Sequence, residues 1–292
     1  MSNPKLNILI SYAFKDTFDW NKVGESVTRR HPTVAEHIND LNGDIRLLID
    51  SGAFTAWKQN KEIQVEDYAN WINNLPINPW RYFALDVIGN ALKTQKNFDW
   101  MYAQNMKPTP VFQRGEDWSR LKEYHQTSDL VGIGVGVKSK AYKNYLREVM
   151  NHTDEIPVHW LGVTMPPWIA YYKPFSVDSS SWCAARQYGK IQLYNRGRFY
   201  EYIRTNADKP PSKKVRSLFR YYGLDPKVFS KEESWRGGSS LAHLVTVRSW
   251  MTYARDVERR FGTKLFLGAI TSDLMEQLVN AWKWCEENEA TV

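Results

Sequence analysis

Four short apolar runs end on a polar side chain that could take part in chemistry. Arg46-Leu47-Leu48-Ile49 ends at Asp50, inside Asp50-Ser51-Gly52-Ala53-Phe54. Tyr82-Phe83-Ala84-Leu85 ends at Asp86, Pro110-Val111-Phe112 at Gln113, and Pro174-Phe175-Ser176-Val177 at Asp178. A single aspartate in such a place is most often a turn former or helix cap, because its short side chain bonds local amides. The set is harder to dismiss, since crowded carboxylates cost free energy unless they titrate apart or are held for chemistry. Displacement at a glycosidic carbon is one reaction class that needs it, with one carboxyl as acid/base and one as nucleophile.

Other chemistries are excluded or left open. Val131-Gly132-Ile133-Gly134-Val135-Gly136-Val137 spaces its glycines as GxGxG within a late apolar run. A dinucleotide fingerprint needs GxGxxG opening a helix after the first strand, so that motif fails. Either these glycines let a flat ligand lie against the backbone, or they mark a closely packed strand. His152 and His159 lack ligand spacing to any Cys or second His and read as structural or solvent-facing. Cys183 and Cys285 stand alone with no CxxC, which excludes a zinc ribbon or disulfide framework. Neither a metal nor a cofactor is expected.

The elements that would position these residues follow from the hydrophobic pattern. Apolar runs recur at Leu6–Tyr12, Arg46–Asp50, Tyr82–Asp86, Pro110–Gln113, Val131–Val137, Val158–Val163, Phe175–Asp178 and Leu265–Ile270. Most are nearly continuous, as strands buried on both faces of a parallel sheet should be. Stretches such as Gln64–Leu75 and Asp117–His125 fit crossover helices between them. The alternation predicts an α/β fold, a (β/α)8 TIM-type barrel, with a doubly wound sheet as the alternative. In a barrel the four polar strand ends converge on the C-terminal face. We expect one barrel domain over 1–292, interrupted at 184–240 by an insertion that breaks the alternation. Ser240 to Phe261 reads as a helix stopped by Gly262.

Composition narrows the class further. The chain has 292 residues, 42% hydrophobic and 24% charged, which excludes a disordered tail or a collagenous repeat. No run approaches a membrane span, and the start has no signal-peptide pattern, so a cytoplasmic protein is expected. Net charge is +7. Residues 186–220 hold ten basic side chains against Glu201 and Asp208, so this window is +8 and the remainder −1. Arg186, Lys190, Arg196, Arg198, Lys213, Lys214, Arg216 and Arg220 are the candidate phosphate contacts. Tyr188, Tyr194, Phe199, Tyr200, Tyr202, Phe219, Tyr221 and Tyr222 are interleaved with them. Such rings can stack on unpaired bases, or can simply be the core beneath a solvated basic face.

Taken in order, the motifs resemble those of the tRNA-guanine transglycosylase superfamily. Asp50-Ser51-Gly52-Ala53-Phe54 is similar to its Asp-Ser-Gly-Gly-Phe motif, and Phe83-Ala84-Leu85-Asp86 to its second Asp-bearing strand. Val111-Phe112-Gln113-Arg114-Gly115 resembles its Val-Gln-Gly strand end, and Gly132–Val137 its glycine-rich strand. Leu161-Gly162-Val163 followed by Asp178 resembles the strand preceding its nucleophilic aspartate. The likeness covers residues 46 to 180. It implies a (β/α)8 fold and exchange of guanine in a polynucleotide for a 7-deazaguanine such as 7-cyano-7-deazaguanine.

By motif, Asp178 would be the nucleophile and Asp50 the general acid/base. Asp86, Gln113 and the backbone at Gly134 would read the base edge, with Phe54 and Leu161 flanking its ring. The tRNA enzymes carry a CxCxxC…H zinc site that two cysteines cannot build. The zinc-less form is similar to phage and bacterial enzymes that act on DNA. The resemblance therefore implies a pentosyltransferase whose partners are DNA, preferably double-stranded, and the free 7-deazaguanine base, in the cytoplasm of a bacterial host if phage-encoded. Action on tRNA, and a barrel that only binds nucleic acid, are the alternatives.

Overall fold

The computed structural model describes residues 5–20, 45–134, 142–153, 155–206, 209–237 and 240–288. Strands form where the sequence pattern is apolar on both faces. β1 (Leu6–Ser11), β2 (Ile45–Asp50), β3 (Arg81–Tyr82), β4 (Val111–Gln113), β5 (Val131–Gly134), β6 (Val158–Trp160) and β7 (Ser176–Ser179) follow one another through the chain. Among them stand α1 (Ala53–Lys58), α2 (Val65–Asn73), α3 (Ala91–Ala103), α4 (Ser119–Thr127), α5 (Tyr142–His152) and α6 (Pro166–Tyr172). α7 (Ala184–Tyr188), the hairpin β8 (Lys190–Asn195) and β9 (Arg198–Ile203), and α8 (Lys213–Tyr221) come next. α9 (Leu241–Phe261), β10 (Lys264–Ala269) and α10 (Ser272–Asn288) close the described chain.

Eight strands form one parallel sheet in the order β3-β2-β1-β10-β7-β6-β5-β4. Alternation along each strand separates two apolar layers. Ile8 and Ile10 of β1 and Leu47 and Ile49 of β2 pack outward against the helices. Leu9, Leu48, Phe83, Val111 and Phe266 form a second cluster inside the curl of the sheet, with Trp80 and Leu161 against it. A strand flanked by protein on both faces must be apolar on both, hence the continuous runs.

The expected closed (β/α)8 barrel is corrected. The sheet order ends at β3 on one side and β4 on the other, and no ladder joins them. A lone bridge pairs Phe83 with Thr109, with the Ala84 amide donating to Thr109 O and the Thr109 amide to Tyr82 O, each at 2.8 Å. Past Tyr82, two backbone carbonyls are met by side chains rather than by a neighbouring strand. The Tyr68 hydroxyl donates to Phe83 O at 2.8 Å, and the Asn97 amide to Leu85 O at 3.0 Å. The result is an open, curled parallel sheet of eight strands.

The 184–240 segment builds its own apolar cluster. Ile191, Leu193, Tyr202, Leu218, Phe219, Tyr222, Phe229 and Trp235 are buried together with Ala242 and Val245 of α9. The hairpin turns at Arg196-Gly197, whose φ values of 47° and 83° are the positive pair that a tight two-residue turn requires. α9 ties the two clusters: Ala242 and Val245 enter the second, while Val247, Trp250, Met251, Ala254 and Val257 enter the main one. Ser240 caps its start, accepting from the His243 amide, and Gly262 at φ 73° ends it.

This packing separates the interleaved rings into buried and more exposed ones. Tyr194, Tyr202, Phe219 and Tyr222 are buried, which for these four bears out the core alternative over stacking on bases. Tyr188 is 75% exposed and Tyr221 only 37%.

Candidate active site

Parallel register carries the polar strand ends to one rim of the curled sheet. Asp50 pairs with Ser11, Asp178 with Phe266, and Gln113 with Gly134. Leu48, Phe266 and Val111 belong to the inner cluster. Positions two residues apart share a face, so Asp50 and Gln113 also point inward above that cluster, and Asp178 does so through its register with Phe266. The sheet thus sets carboxylates and amide at the C-terminal edge of an apolar interior.

Asp178 is held through one oxygen. Its Oδ1 accepts from the Gly162 amide at 2.7 Å and lies 3.1 Å from Nε2 of His159. Among the described residues none donates to Oδ2, and the side chain is 17% exposed. The Gly162 amide is aimed by the turn after β6, where Gly162 has φ 69°. An L side chain is strained there, so glycine fits the geometry. His159 is fully buried, its Nδ1 is 2.8 Å from the Ser176 hydroxyl, and its ring packs 5.0 Å from that of Phe83.

Asp50 and Asp86 sit in drier surroundings. Burial raises the Asp50 carboxyl above the usual carboxylate range, and the charge of Asp178 raises it further. The Gly52 amide, donating at 3.0 Å, and the nearby His159 work in the opposite direction. The Ser11 hydroxyl stands close enough to favour the charged form, although it does not meet full hydrogen-bond geometry. Asp86 accepts from the Ser51 hydroxyl at 2.6 Å, yet burial pushes its carboxyl up to about 6, with Asp50 adding to the rise. Carboxyls that keep their protons to higher pH can donate as well as accept, the property an acid/base needs.

The remaining motif residues are placed as follows. Gln113 is buried and donates from Nε2 to the Thr94 hydroxyl at 3.0 Å. Gly134 is half-buried at the end of β5, where an added Cβ would come 3.4 Å from Cγ of Gln113. Leu161 borders the inner cluster. Phe54 lies outside it, 45% exposed on the first turn of α1 and stacked on Trp57 with centroids 5.9 Å apart. Lys58 Nζ lies 4.6 Å from the Phe54 ring centre. Gly132 is filled by protein, because the Phe83 ring occupies the space a side chain would need. Gly136 and Val137 lie outside the described residues.

His159, expected to be structural or solvent-facing, is fully buried and lies against Asp178, a contact that ligand spacing did not reveal. It was findable: in Val158-His159-Trp160-Leu161 the two-residue alternation puts His159 on the same face as Leu161, the face that looks inward. Ser51 and Gly162 carry no comparable signal, since a turn serine and a turn glycine are commonplace.

The basic candidates are spread over three elements. Arg186 on α7, Arg196 and Arg198 at the hairpin tip, and Lys213, Lys214 and Arg220 on α8 are exposed. None of these six is paired with a described acidic group. Lys190 pairs with Glu201 at 2.5 Å, and Arg216 donates to Pro211 O at 2.7 Å from a half-buried position. These two side chains, unlike the other six, have a described ion-pair or hydrogen-bond partner within the protein. Among the described residues no group of three or more His, Cys, Asp or Glu is placed to hold a metal ion, and no helix is long and apolar enough to cross a membrane.

No family model and no curated protein matches this sequence. Among solved structures it is similar to a DUF72 family protein from Enterococcus faecalis V583, at 9% identity over 95% of each chain. The TM-score of that pair is 0.34, too low to bear on fold or function.

Proposed function

We propose that this protein exchanges guanine in DNA for a 7-deazaguanine through a covalent aspartyl-glycosyl intermediate. The observation that carries the reading is Asp178, anchored through Oδ1 with no donor to Oδ2 among the described residues, at the same rim as an Asp50 that burial holds toward its protonated form. In the first displacement an Oδ2 lone pair forms the bond to C1′ while the C1′–N9 bond breaks. Its electron pair leaves with guanine, which takes the proton of Asp50. In the second, Asp50 removes the N9 proton of the incoming base, N9 attacks C1′, and the Asp178 carboxylate is released. Two displacements give retention at the sugar carbon.

Asp86 and Gln113, buried beside these groups, are suited to edge hydrogen bonds with a planar base, and the Gly134 backbone can lie close to its ring. Leu161 offers an apolar face from the inner cluster, and Phe54 one from the rim. The six exposed basic residues supply phosphate contacts that help offset the few kcal/mol of unstacking a flipped nucleotide costs. DNA is favoured over tRNA because the zinc-site spacing of the tRNA enzymes is missing and a basic insertion stands in that stretch.

Incorporation of labelled guanine into duplex DNA, single-stranded DNA and tRNA tests the reading. Label in DNA that vanishes in Asp178→Ala is expected. Label in tRNA alone would replace the polynucleotide, and label in none would leave a nucleic-acid-binding sheet without the chemistry.

A further inference from the structure

Two groups converge on one atom of Asp178, and only one of them belongs to the backbone. The Gly162 amide donates to Oδ1 at 2.7 Å, and Nε2 of His159 lies 3.1 Å from the same oxygen. His159 has no exposure at all, so no water competes for its ring nitrogens. The other nitrogen, Nδ1, is 2.8 Å from the Ser176 hydroxyl, which sits beside it in the β6–β7 register. A hydroxyl donates to a neutral Nδ1 or accepts from a protonated one, so Ser176 satisfies either state. An ionised carboxylate only accepts, so the tautomer that bonds Asp178 carries its proton on Nε2 and leaves Nδ1 to accept from the Ser176 hydroxyl. The imidazole is wedged between Phe83 and Phe266, with centroids at 5.0 Å and 6.1 Å, which leaves it little freedom to turn.

We infer that His159 is the positioning residue for Asp178. By fixing Oδ1 it assigns bond formation to Oδ2 and holds the carboxylate plane so that an Oδ2 lone pair points at the sugar carbon. A freely rotating carboxylate would present both oxygens and spend part of its time in neither line of attack. The inference rests on the reading of Asp178 as nucleophile. His159 touches neither sugar nor base in it, and works through Asp178 alone.

The atom that matters can be isolated by substitution. The side-chain nitrogen of glutamine reaches where Nε2 of histidine stands, whereas that of asparagine reaches where Nδ1 stands. His159→Gln should therefore keep the bond to Oδ1, His159→Asn should lose it, and His159→Phe should fill the space without any donor. The rate of covalent adduct formation between protein and a guanine-containing DNA duplex is measured in single-turnover conditions, with duplex affinity measured in parallel. His159→Gln is expected within about 3-fold of the parent. His159→Asn and His159→Phe are expected to fall by roughly 10–100-fold, by analogy with the loss when the hydrogen-bond partner orienting a metal-ligating side chain is removed. Duplex affinity should stay unchanged in all of them.

Equal rates in His159→Phe and the parent would overturn the inference while leaving the reading of Asp178 intact. So would an equal loss in the Gln and Asn variants, which would make the role one of shape. Absence of adduct in the parent would instead overturn the reading itself. A measurement free of activity covers the folding question: the ring ¹⁵N resonances of His159 should shift in Asp178→Asn, and their constancy would contradict the contact.

Discussion

Gly132→Ala is the perturbation whose cost the structure fixes most directly. A Cβ at this position would stand 2.9 Å from Cε1 and 3.1 Å from Cδ1 of Phe83, and 3.4 Å from the carbonyl oxygen of Pro110. Non-bonded carbons rest at roughly 3.5–4.0 Å, so the methyl overlaps the ring by about half an ångström or more. Phe83 has little room to yield, because it is 1% exposed and packed against His159. Overpacking of this kind costs about 1–3 kcal/mol. The entropy that alanine removes from the unfolded chain returns about 0.4–1 kcal/mol, which leaves a net loss on the order of 1–2 kcal/mol. Equilibrium urea unfolding of the parent, Gly132→Ala, Phe83→Leu and the double variant measures it. The smaller leucine makes room for the methyl, so Gly132→Ala should be near neutral in that background, a coupling of about 1 kcal/mol or more. Parent-like stability of Gly132→Ala, or strict additivity in the double variant, would refute the packing account of this glycine.

Three further outcomes follow from the same geometry. Asp86 is held at about 6 when folded against its ordinary 3.8, so its stabilising contribution is complete below the lower value and is lost as pH rises through the upper one. Asp86→Asn keeps the acceptor for Ser51, and the parent should lose on the order of 2 kcal/mol relative to it between pH 4 and 7; parallel pH profiles of unfolding would contradict this. Gly162→Ala places a side chain at φ 69° with nothing within 4 Å of the new Cβ. The strain alone should cost about 1–2 kcal/mol of unfolding free energy, and an unchanged stability would mean the turn relaxes. Reversing Lys213 and Lys214 to Glu should weaken DNA binding across sequences and flatten the salt dependence by about 0.9 per lost phosphate contact, whereas an unchanged slope would move the binding surface off α8.

Much of the scaffold was legible because buried parallel strands are apolar on both faces: seven of the eight apolar runs hold most of a strand of the sheet, while Tyr82–Asp86 shares only Tyr82 with β3. Closure was not legible. Past β3 the carbonyls of Phe83 and Leu85 are met by the Tyr68 hydroxyl and the Asn97 amide, 15 and 12 residues away in the chain, contacts that no local pattern encodes. The polar strand ends were visible as polar punctuation of apolar runs. Their partners were harder to see: His159 contacts Asp178 across neighbouring strands, and only the inward alternation of β6 hinted at it. The glycine run shows one sequence feature with two causes, because Gly132 makes room for Phe83 while Gly134 leaves the backbone half-buried at the rim. Composition could not separate stacking rings from core rings in the basic segment. That distinction rests on the second apolar cluster, which takes up Tyr202, Phe219 and Tyr222.

The central claim is that Asp178 forms a bond to a sugar carbon. Incubation of the protein with a guanine-containing DNA duplex, followed by denaturation and mass spectrometry of the digested adduct, tests it most directly. The account predicts a DNA-linked peptide attached through Asp178, absent in Asp178→Ala and discharged when free 7-deazaguanine base is added. Attachment at another residue, or labelled-guanine exchange that persists in Asp178→Ala, would contradict it.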